Sequence, residues 1–191
     1  MSITKASLNR RHVVAGLGLS LAGLGRPAFA QGAEVPIGMV LPFSGATGPY
    51  GPDMKKAADI VVKMINDAGG ILGGRKLRLY IEDSETNPTV GVAATRKLLD
   101  VNKVELVGGF WGSPIALAAK PLILAANKVQ MVSAAANGIT DGDTRGLVYR
   151  FQAKSTQWGP AGAKIMDGMK LKKVALLAQQ NPLRHFDDRA V

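Results

Sequence analysis

Between residues 35 and 178, short apolar runs that read as strands alternate with longer stretches whose apolar residues recur at helical spacing. Few folds accept such an alternation. Residues 35–41 read as a strand. From 53 to 68, Ala57, Ala58, Val61, Val62 and Ile65 share one helical face, and Gly69 and Gly70 supply the stop. Residues 76–83 alternate Leu77, Leu79 and Ile81 with Lys76, Arg78 and Tyr80, the pattern of a strand with unequal faces. A helix then starts at Pro88 behind an Asn87 cap, with Val92, Thr95, Leu98 and Leu99 on its buried side. Further strands are expected over 104–107, 129–133, 148–151 and 173–178, with helices over 114–127 and 156–169. This order predicts the α/β class, a three-layer parallel sheet with helices on both faces.

Several function classes fall away on composition. The chain has no cysteine, and its histidines, His12 and His185, lie near opposite ends, so thiolate chemistry and a Ser/His/Asp triad in the folded body are excluded. The acidic group Glu82, Asp83 and Glu85 has no metal-binding partner beyond itself and reads as a solvated strand end; no metal or cofactor is expected. Formal net charge is +10, but Lys5, Arg10, Arg11 and Arg26 belong to a leader, and without them 20 basic residues face 14 acidic ones. The remaining cations are scattered and not interleaved with aromatics, which argues against nucleic acid as a partner.

The leader is "MSITKASLNRRHVVAGLGLSLAGLGRPAFAQ", with a basic start, an apolar stretch from Val13 to Leu24 and a small-x-small end at Ala28 to Ala30. Residues 1–30 read as an export signal cleaved before Gln31. The apolar stretch is about half of the roughly 20 residues that span a bilayer. Arg10 and Arg11 fit the twin-arginine route, while Asn9 and the missing downstream lysine depart from it, so the general secretory route stays open. Either route predicts a periplasmic protein.

The stretch "LPFSGATGPYGPD" (41–53) invites comparison with a phosphate-binding loop and fails it. Its glycines are spaced GxxGxxG, Pro42, Pro49 and Pro52 have no N–H to donate, and Asp53 already answers the dipole of the following helix. What the loop offers is an aromatic, Tyr50, at the carboxyl end of the first strand, where open parallel sheets bind ligands. The next strand ends make similar offers. "GGFWGSPIALAAKP" places Ser113 as an expected N-cap before Pro114, and "VSAAANG" supplies small residues with polar Ser133 and Asn137. Each also has a plainer reading: Ser113 as cap only, Trp111 as core or rim, Tyr50 as cover for the sheet end, Asn137 as the start of a turn.

Those residues carry a resemblance. "GMVLPFSGATGPYG", "INDAGGILGGRKLRLYIEDSETNP", "LVGGFWGSP", "MVSAAANG", "YRFQAKSTQWGPAGAKIM" and "KKVALLAQQNP", from Val35 to Pro182, resemble the periplasmic solute-binding proteins of ABC importers for branched-chain and related amino acids, of the type I binding fold. The resemblance implies a first ligand-binding lobe over 31–150 and an incomplete second lobe beginning at 151–182. It implies a ligand set of Tyr50, Phe110, Trp111, Gly112, Ser113, Ser133, Ala134, Ala136 and Asn137, holding an amino acid or small carboxylate for delivery to membrane permease subunits. Gly112 stands where the family has the first of two serines, and Asn137 where Thr or Ser is usual; Trp111 favours a flatter or bulkier ligand side chain. Residues 183–191, "LRHFDDRAV", leave the family pattern, which predicts a frameshifted or truncated reading frame with impaired binding and an exposed strand edge. A secreted α/β enzyme and the sensing domain of a receptor are the competing readings; the leading one is a binding protein without catalytic activity.

Overall fold

The structure, a computed structural model, describes residues 34–175. The expected export signal, the expected strand beyond residue 175 and the tail at 183–191 lie outside the described residues; residues 173–175 themselves take no strand pairing. Five strands form one parallel sheet in the order β2-β1-β3-β4-β5: β1 (Val35–Leu41), β2 (Leu77–Asp83), β3 (Leu106–Gly108), β4 (Val129–Val132) and β5 (Val148–Arg150). Four helices accompany them, α1 (Gly51–Asp67), α2 (Pro88–Asp100), α3 (Ser113–Ala125) and α4 (Ser155–Gly168).

Crossover handedness builds the three layers. The chain leaves β1 for β2 on one side, then returns past β1 to β3 and continues to β4 in the opposite direction. Right-handed crossovers therefore put α1 on one face and α2 with α3 on the other. The second face holds the core: Val40, Leu98, Leu99, Val104, Val107, Ile115, Ala116, Ala119, Ile123, Val132 and Val148 form one buried cluster. Gly38 of β1 lies beneath it, close to Leu98 and Val104.

Local chemistry explains most boundaries. The Asn87 carboxamide oxygen accepts the N–H groups of Thr89 (2.8 Å) and Val90 (3.3 Å), capping α2 ahead of Pro88 as its sequence predicts. On that helix Thr95, Leu98 and Leu99 are buried, while Val92 is only half-buried. At the end of α1, the Gly70 N–H returns to the Ile65 carbonyl (2.9 Å) and that of Gly69 to Asn66 (3.2 Å), the bond pair of a Schellman cap. β3 starts two residues later than expected because the Val104 N–H closes onto Leu98 of α2 (3.2 Å), and only from Glu105, which donates to Pro36 (2.9 Å), does the chain join β1.

The outer face of α1 departs from expectation. Met54, Ala58, Val62 and Ile65, at i, i+4, i+8 and i+11, are half-buried, whereas Ala57 is exposed and Val61 stands 54% exposed. Helix α4 buries none of its residues. Its Trp158 and Ile165 are exposed.

Candidate functional site

Because the chain departs in opposite directions from β1 and β3, the loops after these neighbouring strands diverge and leave a crevice at their carboxyl ends. The first wall is the loop after β1. Asp83, at the end of β2, accepts the Phe43 N–H (2.9 Å), the Ser44 hydroxyl (2.7 Å) and the Glu85 N–H (2.8 Å). Burial works against this carboxylate, but the hydrogen bonds together hold its pKa below the usual aspartate range. Thr86 adds a second stitch, donating its hydroxyl to the Ser44 carbonyl (2.9 Å) and accepting the Thr47 N–H (3.1 Å). Glu82 pairs with Lys97 at 2.8 Å, and no metal-ligating cluster occurs among the described residues.

A short 3-10 turn, Gly48–Tyr50, then brings Tyr50 to the mouth of the crevice. Its position depends on Gly51, where a β-carbon would stand 2.1 Å from the Pro42 carbonyl oxygen; only glycine lets the helix start this close to the loop beneath. Across the crevice Trp111 meets Tyr50 with ring centroids 5.1 Å apart and planes tilted by 35°. Such offset aromatic pairs contribute about 0.5–1.5 kcal/mol beyond their buried area. Tyr50 is half-exposed and Trp111 partly buried, so the pair presents apolar ring surface at the crevice.

Trp111 also bridges Ser133 through its backbone, resuming the β3-β4 pairing beyond Gly109 with one extra residue on the β3 side. Gly112 follows with φ +112, a conformation that strains any residue with a side chain, and it is Gly112 that caps α3. This corrects the expected role of Ser113. The serine is the first helical residue and makes no cap hydrogen bond; its hydroxyl oxygen instead accepts the Ala136 N–H at 3.1 Å. A serine hydroxyl that accepts through its oxygen still has its proton to donate. With Pro114 second in the helix, the Ser113 side chain and the amino end of α3 are left to face the crevice.

The third wall is the loop 133–137. Asn137 opens a 3-10 turn, Asn137–Ile139, and its side-chain oxygen accepts from the Thr156 N–H (3.4 Å) and hydroxyl (3.3 Å), so that oxygen ties the start of α4 to the loop. Beneath the loop lies Arg150, whose guanidinium donates to the carbonyls of Ala134 (3.3 Å), Ala135 (2.8 Å), Ala136 (3.0 Å) and Asn137 (3.4 Å), and to the Thr140 hydroxyl. Burial lowers the Arg150 pKa and the nearby Asp141 opposes that shift; the group stays charged. Lys120 holds the next carbonyl, Gly138, at 2.9 Å.

Of the nine residues expected in the site, Tyr50, Trp111, Gly112, Ser113, Ser133, Ala136 and Asn137 come together at these strand ends. The side chains of Phe110 and Ala134 do not reach the crevice. Both belong to the buried core cluster, Phe110 at 0% exposure: Ala134 continues the inward side of β4 set by Val132, and Phe110 turns inward after the left-handed Gly109 (φ +92). Arg150 was missed by motif reading. Its signal was a cation inside the three-residue strand that follows a loop opening with small residues, which bring many carbonyls and few side chains.

An open parallel sheet with a carboxyl-end crevice walled by an aromatic pair, a free serine proton and a helix amino end defines a small-ligand-binding lobe. Residues 34–185 match the periplasmic binding protein family, and the chain belongs to it. The chain is 33% identical over 153 residues to the Leu/Ile/Val-binding protein homolog 3 of Brucella melitensis, a match that takes in 78% of this chain and 40% of that relative. It thus spans well under half the length of the relative. Among solved structures it is similar to the branched-chain amino-acid substrate-binding protein LivJ of Streptococcus pneumoniae in complex with isoleucine, with 26% identity, TM-score 0.59, and coverage of 63% of this chain and 34% of that one. A Rhodopseudomonas palustris solute-binding protein in complex with 4-hydroxybenzoate shares the fold at TM-score 0.61 and 24% identity, covering 72% and 36% of the two chains. Relatives of this kind are binding components of transporters rather than enzymes. No helix among the described residues is long and apolar enough to cross a membrane.

Proposed function

We propose that this chain carries the first ligand-binding lobe of an extracytoplasmic solute-binding protein that captures a small carboxylate for an ABC permease. Residues 31–150 supply that lobe, residues 151–182 begin the second, and residues 1–30 direct export to the periplasm. The observation that carries the reading is the Ser113 hydroxyl, which accepts the Ala136 N–H and keeps its proton for a ligand oxygen at the amino end of α3. A helix amino end favours an anion by about 0.3–1 kcal/mol when exposed. Tyr50 and Trp111 then receive the apolar part of the ligand, with Gly112, Ser133, Ala136 and Asn137 lining the approach and Phe110 and Ala134 contributing backbone only. No catalytic step is part of this reading.

Isoleucine and 4-hydroxybenzoate, the ligands of the two solved relatives, bracket the ligand class. Titration calorimetry of the purified chain against L-isoleucine, 4-hydroxybenzoate and the neutral 4-hydroxybenzamide tests it. Saturable heat with a carboxylate and none with the amide is expected. Equal heats for acid and amide, or none for any of the three, would reject the carboxylate reading, and turnover of generic esters or phosphates would reject the non-catalytic one.

A further inference from the structure

We infer that Arg150 is a positioning residue for the ligand carboxylate, acting from behind the 133–137 loop through a peptide relay that ends at Ser113. The inference rests on the carboxylate site proposed above and adds a residue that does not line it.

The geometry is directional. Arg150 gathers four successive carbonyls, from Ala134 to Asn137, on one side of the loop. No cis peptide occurs among the described residues, and in a trans peptide the N–H points opposite to the carbonyl. A loop whose carbonyls converge on one cation must therefore turn the following N–H groups away from it. One of these is fully traceable. The Ala135 carbonyl accepts from Arg150 (2.8 Å) and from the Ser155 N–H (2.8 Å), and the N–H of the same peptide, on Ala136, donates to the Ser113 oxygen at 3.1 Å. That donation occupies the serine's acceptor side and commits its proton outward. Neighbouring amides fit the same scheme: with its carboxamide turned oxygen toward the loop, Gln152 would accept the N–H groups of Ala135 (2.8 Å) and Ala134 (3.3 Å). Chains of hydrogen bonds polarise one another, so the cation also strengthens the donors on the far side of each peptide.

Position, charge and fork geometry all matter in this account. An exposed sequence neighbour such as Tyr149 could not replace Arg150, since it stands on the opposite side of β5. Lysine keeps the charge but offers a compact ammonium in place of the planar fork that spans several carbonyls.

The experiment is calorimetry of the full chain with L-isoleucine and 4-hydroxybenzoate, on wild type, Arg150→Met, Arg150→Lys and Thr140→Val, below the unfolding temperature of each. Arg150→Met is expected to weaken carboxylate binding about tenfold or more, the scale of one lost charge-assisted hydrogen bond, with Arg150→Lys intermediate and Thr140→Val mild. Amide exchange at Ala136 should rise in the same order, a readout that general loss of stability would not confine to that loop. Thr140→Val keeps the cation in place and covers the case in which Arg150→Met does not fold: exchange at Ala136 that stays at the wild-type rate in it overturns the relay. Wild-type affinity in a folded Arg150→Met overturns the positioning role and leaves the carboxylate site standing. A wild-type chain that takes up neither probe rejects the site and this inference together.

Discussion

The two faces of the sheet are covered very differently. On the α2-α3 side, Leu98, Val104, Val107, Ile115, Ile123 and Val132 are all within 2% of complete burial and interlock as one cluster. On the α1 side the helix has a single buried residue, Gly51, and Ile60, Val61 and Met64 are 51%, 54% and 65% exposed. Of the strand residues turned toward α1, Val35, Leu41 and Leu77 are buried, while Ile37, Met39, Leu79 and Ile81 are only half-buried. Stability is therefore concentrated on one face, and the site straddles the two: Trp111 and Ser113 lead into α3 on the closed face, while Tyr50 leads into α1 on the thin one. The lesson is that the Ser113 side of the crevice rests on a fully buried cluster, whereas Tyr50 rests on a loop held by hydrogen bonds with Asp83 and Thr86 and on the thinly covered α1.

The most direct attempt to break this contrast is Leu98→Ala. Leu98 is fully buried between α2 and β1, and truncating such a leucine costs about 2–5 kcal/mol through lost transfer energy and the cavity left behind. Denaturant unfolding should show a large fall in midpoint with little change in slope. A loss under about 1 kcal/mol would mean that the closed face is looser than its burial implies. A smaller effect on the same face is expected from Asn87→Ala, which deprives the Thr89 and Val90 N–H groups of their acceptor at the start of α2. Such cap losses run near 1 kcal/mol, and the same unfolding curves measure it.

How much of this could be read from residues alone follows the same divide. Strand β1 and the Asn87-Pro88 start of α2 were legible because their signals are local: an apolar run, a cap and a proline. The crevice was legible as a place, because it lies at strand ends that the alternation itself locates. What local signals could not supply was which partner each polar group would choose. Ser113 looks like a cap, yet Gly112 at φ +112 takes that position and frees the hydroxyl for Ala136, 23 residues away. Phe110 lies beside Trp111 in sequence but faces the core, because Gly109 at φ +92 breaks the alternation that follows Val107 and turns Phe110 inward. Arg150 lies between Tyr149 and Phe151 with no motif around it; its five acceptors exist only once β4 and β5 are side by side.

Acid should act on the far edge of the closed face through Asp143, which accepts the N–H groups of Arg145 (3.1 Å), Leu147 (2.8 Å) and Val148 (2.8 Å) and so fixes the entry to β5. The Val148 N–H is the main cause of its lowered pKa, with burial opposing. A carboxylate whose folded pKa is depressed stabilises the fold fully above the unfolded aspartate range and loses that contribution as pH falls through the lower folded value. The gap in melting temperature between wild type and Asp143→Ala should therefore be widest near neutral pH and close as the solution becomes acid. Since Asp143 is on the surface, the gap itself should be small, and one that is independent of pH would remove the carboxylate from this account.

The smallest effect, and the one that sharpens the comparison most, belongs to Val61→Ala on the thin face. Two terms act on it. Removing the two methyl groups of a half-exposed valine forfeits little burial, and alanine is the better helix former by up to roughly 0.7 kcal/mol, because valine loses rotamer freedom against the preceding turn. The expected net change is thus between neutral and slightly stabilising, within about 0.5 kcal/mol, as for surface substitutions generally. Leu98→Ala removes three carbons and Val61→Ala two from opposite faces of one sheet, so the difference between their unfolding free energies, corrected for that carbon and for valine's lower helix propensity, reports the asymmetry. Were Val61→Ala instead to cost more than about 1 kcal/mol, the outer side of α1 would have to be covered in solution. A concentration-dependent melting temperature that this substitution abolished would identify a second copy of the chain as the cover.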